Sequence, residues 1–175
     1  MKLKQIFEED SNKVKMLHVS PKEFLNVINK VSKNDLAPQD IEAGLDTLTI
    51  YDLNDYRKCK CYLNKTTPGG FAIDKDSKDL ISFFSNGGPD GKTLVKEALK
   101  KGAKKTDCYA LISGKKLSGD LYELYINNGF MINTDINIGA EEEAYSVKNG
   151  ISRYVDDKGK IKPNDKRVIV FLVKK

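Results

Sequence analysis

Asn86-Gly87-Gly88-Pro89-Asp90-Gly91-Lys92 is the stretch of this chain best suited to chemistry. It lies between Asp79 to Ser85, which reads as a strand, and Thr93 to Lys101, which reads as a helix stopped by Gly102. The first N–H groups of a helix have no intrahelical partners and sit at the positive end of its dipole, so a phosphate or pyrophosphate placed there is stabilised. Gly87, Gly88 and Gly91 let anion oxygens approach the main chain, and Lys92 adds a full charge. The spacing is neither that of a P-loop nor that of a dinucleotide fingerprint, and the same residue types also make ordinary surface turns.

Other reactive residues are scattered. Cys59, Cys61 and Cys108 are odd in number, and the first two would share one strand face, where disulfides are rare. The lone histidine, His18, is far from them in sequence, so no metal site is expected, and a reducing, cytoplasmic setting is the simpler reading. Glu141-Glu142-Glu143 would attract a cationic amine or peptide, or simply solvate a loop. Lys96, Lys100, Lys101, Lys104 and Lys105 form a basic stripe with few aromatics beside it, so a nucleic-acid partner is not expected.

The elements that must position the loop follow from periodicity. Lys15 to Ser20 reads as a strand, and Ser20-Pro21-Lys22-Glu23 then opens a helix with Phe24, Val27, Ile28 and Val31 on one stripe. Pro38 with its acidic followers suggests a second short helix between Asn34 and Gly44, before a β-like run from Leu45 to Tyr51. Arg57 to Asn64 and Gly70 to Asp74 form an expected hairpin around Thr66-Thr67-Pro68-Gly69. Asp79 to Ser85 is apolar on both faces and is expected in the middle of the sheet. Beyond the loop and its helix, Thr106 to Ile112 reads as a strand, Asp120 to Asn127 as a helix ended by Asn128-Gly129, and Phe130 to Ile138 and Arg167 to Val173 as strands. Gly139 to Asn149 reads as polar loop, with turns expected at Asp157 to Lys160 and Pro163 to Asp165.

Two motifs within this order resemble the GNAT N-acyltransferase superfamily, over about residues 70–130. The family's pyrophosphate loop has Gln or Arg, two residues, Gly, one residue, then Gly or Ala. Asn86, Pro89 and Gly91 stand at those positions, so two of the three differ, and Pro89 removes one N–H from the cradle. Leu124-Tyr125-Ile126-Asn127-Asn128-Gly129-Phe130 is similar to the family's Leu-Tyr, three residues, Gly-Phe near the thioester end of the cofactor. Upstream, Ser118 and Leu121 replace a frequent Asn and Ala.

The resemblance implies an α/β fold with a mixed, mostly antiparallel central sheet of six to seven strands flanked by helices. It implies acetyl-CoA as cofactor, held around Phe84, Ser85, Asn86, Gly87, Gly88, Asp90, Gly91, Lys92 and Thr93, and an amine or protein as acceptor. Tyr125 would protonate the departing CoA thiolate. A proton acceptor is also required, and Asp74 and Asp79, at strand ends, do not compel that role. The alternative is a catalytically inactive GNAT-like protein that works by protein binding, with Leu121, Leu124 and Tyr125 serving only to pack a helix.

The 175 residues suit one domain spanning 1–175, with 39% apolar and 31% charged residues, a composition that folds. Thirty basic against 25 acidic residues leave a net charge of +5, suited to an anionic ligand. No run approaches the roughly 20 apolar residues that cross a bilayer, and Met1 to Lys15 lacks the apolar stretch of a secretory signal.

Overall fold

Ser20 starts the first helix as its position suggests: its Oγ accepts the N–H of Glu23 at 3.2 Å, and Pro21 takes the first helical position. In the computed structural model, residues 14–31, 48–85, 89–137, 145–154 and 166–175 are described. Their order is β1 (Met16–Val19), α1 (Pro21–Val31), α2 (Leu53–Arg57), β2 (Cys59–Asn64), β3 (Gly69–Asp74), β4 (Leu80–Ser85), α3 (Gly91–Lys100), β5 (Lys105–Ser113), β6 (Lys116–Ser118), α4 (Asp120–Asn127), β7 (Phe130–Ile132), β8 (Tyr145–Lys148), β9 (Ile151–Tyr154) and β10 (Arg167–Lys174). The fold is mixed α/β with antiparallel sheets. No helix among the described residues is long and apolar enough to cross a membrane.

The strands form two sheets. One is a four-stranded meander in the order β1-β2-β3-β4, and the other runs β6-β5-β10-β9-β8, with β7 also paired to β10. Strand β10 shares one edge between two partners: Leu172 to Lys174 pair with β7, and Val168 to Val170 pair with β9. Alternation along each strand decides what it covers. Cys59, Cys61 and Leu63 of β2 meet Phe24 and Ile28 of α1 and Tyr56 of α2 on one face of the first sheet. Tyr62, Phe71, Ile73 and Leu80 point the other way, toward Leu94, Val95 and Ala98 of α3. That second core continues through Cys108 and Ala110 of β5, Val168, Val170 and Leu172 of β10, and Tyr125 of α4. Burying an apolar side chain of the size of Phe24 or Ile28 contributes roughly 1.5–3 kcal/mol, so the stripe of α1 is held mainly by the sheet beneath it.

Several expectations change. The single sheet of six to seven strands is two sheets with ten strands among the described residues. Strand β4 is not in the middle of its sheet but ends it, and it owes its two-sided apolarity to a core on one face and α1 with α2 on the other. The strand expected from Phe130 to Ile138 stops at Ile132, since Asn133 N–H takes Phe171 O and the next stretch of β10 is occupied by β9. Ile138 lies outside the described residues, as do the helix expected between Asn34 and Gly44, Glu141 to Glu143, and the turns at 157–160 and 163–165. Leu48 to Tyr51 carries no strand, and α2, β6, β8 and β9 were not expected.

Candidate ligand-binding cleft

Strands β4 and β5 run parallel and meet as a ladder at a single bridge, Asp79 with Lys105. One residue further, Thr106 Oγ donates to Leu80 O at 3.1 Å. Past that point the two strands belong to different sheets, and a cleft of about 500 Å³ opens between them. A local distortion accounts for the parting: Ser82 has φ +51, and the register with β3 shifts between Gly70 and Ala72. Such a bulge bends its strand and increases its twist. Among the described residues, the edges that β4 and β5 turn toward the cleft have no strand partner until β6 joins β5 at Leu111–Ser113.

The wall opposite β5 is the segment Leu48 to Tyr51, pinned to the bulge by a chain of hydrogen bonds. Ser82 Oγ donates to Thr49 O at 2.9 Å. Its one hydrogen being used, it accepts from Tyr56 Oη at 2.7 Å, and Tyr56 Oη in turn accepts the N–H of Tyr51 at 3.2 Å. Tyr56 is fully buried, and burial pushes its phenol above the ordinary value, so it remains a donor. The remaining wall comes from Ser118, Gly119, Asp120 and Leu121, where β6 leads into α4.

Tyr125 reaches the apex of this divergence. It is 2% exposed, with Phe83 and Phe130 edge-on to its ring at 5.9 and 5.4 Å, and its hydroxyl is hydrogen-bonded with Thr106. Burial raises its pKa well above that of free tyrosine, so the hydroxyl stays protonated; Thr106 Oγ spends its own hydrogen on Leu80 O, which leaves Tyr125 as the donor of the bond between them. Beside it on β5 is Asp107, exposed by surface area because the cleft is open, yet enclosed by volume because protein surrounds its other sides. Desolvation in that second sense, reinforced by the charge of Asp79, raises its carboxyl above the usual range. Asp107 also helps to raise the phenol of Tyr51, after burial itself. Cys108 lines the cleft too, but burial and then Asp107 push its thiol up to about 12, which leaves it unreactive near neutral pH.

The described residues among those singled out from the glycine-rich loop lie elsewhere. Phe84 is 6% exposed and turns toward α1, with its ring 6.0 Å from Phe24. Ser85 donates its hydroxyl to Pro89 O at 2.5 Å, while Asn86, Gly87 and Gly88 lie outside the described residues. Asp90 is the N-cap of α3, accepting Thr93 N–H at 2.9 Å and the Thr93 hydroxyl at 2.8 Å. The Thr93 backbone and side-chain bonds hold its carboxyl below the ordinary value. Gly91 is in close contact with α4: a β-carbon there would lie 2.9 Å from Leu124 Cδ2. Among the described residues, none of these lines the cleft, nor does Lys92, whereas Tyr125, Ser118 and Leu121 do. Asp74 is spent on a turn, accepting the N–H groups of Asp76 and Ser77, both at 2.8 Å.

Reading the chain for function missed Asp107, Thr106, Tyr51 and Asp120. A signal for the first was present, a carboxylate inside the otherwise strand-like run Thr106 to Ile112. Comparison with protein-family models, with curated proteins and with solved structures finds no match to this chain.

Proposed function

We propose that this chain is a GNAT-like N-acetyltransferase in which acetyl-CoA enters the β4/β5 cleft and its acetyl group passes to an amine. The observation that carries this reading is the parting of two parallel strands around a cleft whose apex holds Tyr125, with α3 following directly from β4. The unpaired edges of β4 and β5 suit an extended ligand with amide groups, such as the pantetheine arm, which would add to a strand edge through backbone hydrogen bonds. Asp107 takes a proton from the acceptor ammonium, and the freed nitrogen attacks the thioester carbonyl. After attack the nitrogen carries one proton too many; as the C–S bond breaks and the sulfur leaves as thiolate, that proton passes through solvent to the sulfur, giving the amide and the CoA thiol. Tyr125, whose own proton is tightly held, turns its hydroxyl from Thr106 Oγ to that sulfur and stabilises it by hydrogen bonding rather than by giving up the proton.

A second reading is favoured by the start of α3, where the Asp90 carboxylate occupies the helix end and Gly91 faces Leu124. A pyrophosphate there would meet a like charge, so the cleft would serve a ligand other than CoA. Calorimetric titration with acetyl-CoA and with CoA, on the unaltered chain and on Asp90→Ser, separates the two. Serine keeps a cap and removes the charge, so the transferase reading expects saturable binding that tightens several-fold in the variant. No binding to either protein at millimolar ligand removes that reading and leaves the second.

A further inference from the structure

The cleft has a charge pattern at odds with the rest of the molecule. The chain carries net +5, yet the described lining residues include two carboxylates, Asp107 and Asp120, and no lysine, arginine or histidine. The nearest cation along β5 is Lys105, two residues before Asp107 on the same strand face, and it does not line the cleft. Asp79, at the bridge below, adds a third negative charge that acts on Asp107.

The two lining carboxylates stand apart. A β-carbon on Gly119 would lie 3.6 Å from Tyr109 O and from Ala110 Cα, so the chain entering α4 runs alongside residues 109 and 110. Asp107 is two to three residues back along β5, so Gly119 is offset from it by roughly 7–10 Å along the strand, and Asp120 follows one residue on. Tyr51, Tyr109, Leu111 and Leu121 supply aromatic and aliphatic surface around them. A ligand with one ammonium would neutralise one carboxylate and leave the other facing it in a partly desolvated cleft. A short alkyl chain with an ammonium at each end would match both and place its methylenes on the apolar walls.

We propose that the acceptor site takes an aliphatic diamine or longer polyamine, with one ammonium at Asp107, where the proton is lost, and the other at Asp120, which sets specificity. The transfer step rests on the acetyltransferase reading, but the binding selectivity does not. Asp120 has another structural use, since a carboxylate in the first turn of α4 favours the helix dipole, and the test must separate the two roles.

Putrescine and n-butylamine share one carbon chain and differ by one ammonium, so calorimetric titration of the full chain with each, without acetyl-CoA, reads the second charge directly. Putrescine is expected to bind about tenfold tighter or better, the difference a second ion pair of modest strength supplies. Asp120→Asn brings that ratio close to one while n-butylamine affinity holds, and Asp107→Asn weakens both ligands. Circular dichroism and thermal melts of each variant confirm that the fold is intact. Equal affinities for the two amines in the unaltered chain overturn the proposal, as does a preference that Asp120→Asn leaves intact, which would reduce Asp120 to a helix residue. Oligolysine binding without putrescine binding also overturns it, in favour of a peptide acceptor. If acetyl-CoA does not bind while the diamine preference holds, only the transferase reading fails. If acetyl-CoA binds and the preference is absent, only the diamine site fails.

Discussion

The start of α3 and the apex of the β4/β5 cleft both bring together backbone and side-chain groups able to receive a ligand, and they have been treated in opposite ways. At α3 the free N–H of Thr93 is satisfied by the protein's own Asp90, and the glycine that would admit an anion is occupied by Leu124. At the cleft the strand edges have no partner among the described residues, and a carboxylate is kept in a setting that disfavours its charge. A sequence motif marks where backbone donors exist, but whether they are vacant is decided by the neighbouring side chains. Groups held at an energetic disadvantage are the better guide to function, because a purely structural surface would have no reason to keep them.

That contrast can be broken most forcefully at the apex. Tyr125→Ala removes a fully buried ring and should lower stability by about 3–5 kcal/mol in urea titration. Tyr125→Phe, which loses only the hydroxyl beside Thr106, should cost about 1 kcal/mol. A negligible loss for the alanine variant would mean that the apex is not packed as described.

At α3 the expected effect is smaller. Gly91→Ala should destabilise by about 1 kcal/mol, since the tip of Leu124 can yield, and the loss should shrink in a Leu124→Ala background. No loss, and no coupling to Leu124, would reopen the helix end as a ligand cradle.

The smallest shift is at Asp107 and has the opposite sign. Its folded pKa is raised, so the folded state holds the proton more tightly than the unfolded chain, and stability falls as pH rises from about 3.8 through the folded value. Asp107→Asn should therefore raise the unfolding free energy near neutral pH, by less than about 1 kcal/mol given its solvent contact, visible as a higher thermal midpoint, and the gain should vanish below about pH 3.8. A variant that is less stable at neutral pH would make Asp107 an ordinary structural residue.

How much of this was readable from the chain depends on the kind of signal. Apolar period and caps located α1, α3, α4, β1 to β5 and β10, because Phe24 and Ile28, or Leu94 and Ala98, fall on stripes that only one element satisfies. The β8–β9 hairpin was legible but unread: Asn149 and Gly150 have φ +51 and +74, the two positive angles that an Asn-Gly turn between strands announces. Helix α2 is five residues long and too short for any stripe, and is recognisable only through the Asp52 cap on Asp55. Tyr125 was singled out from its motif and lines the cleft, whereas Asp107 and the cleft itself were not anticipated. A parting of strands is an absence of pairing, and no residue pattern in either strand records it.

The hydroxyl chain behind the cleft has one more consequence. From the Tyr51 amide through Tyr56 and Ser82 to the Thr49 carbonyl, every hydrogen points the same way and none is free to turn. The wall at Leu48 to Tyr51 is thereby preorganised before any ligand arrives. Its conformational entropy is surrendered during folding and not during association, so affinity in the cleft reflects the ligand's own contacts rather than the ordering of its host.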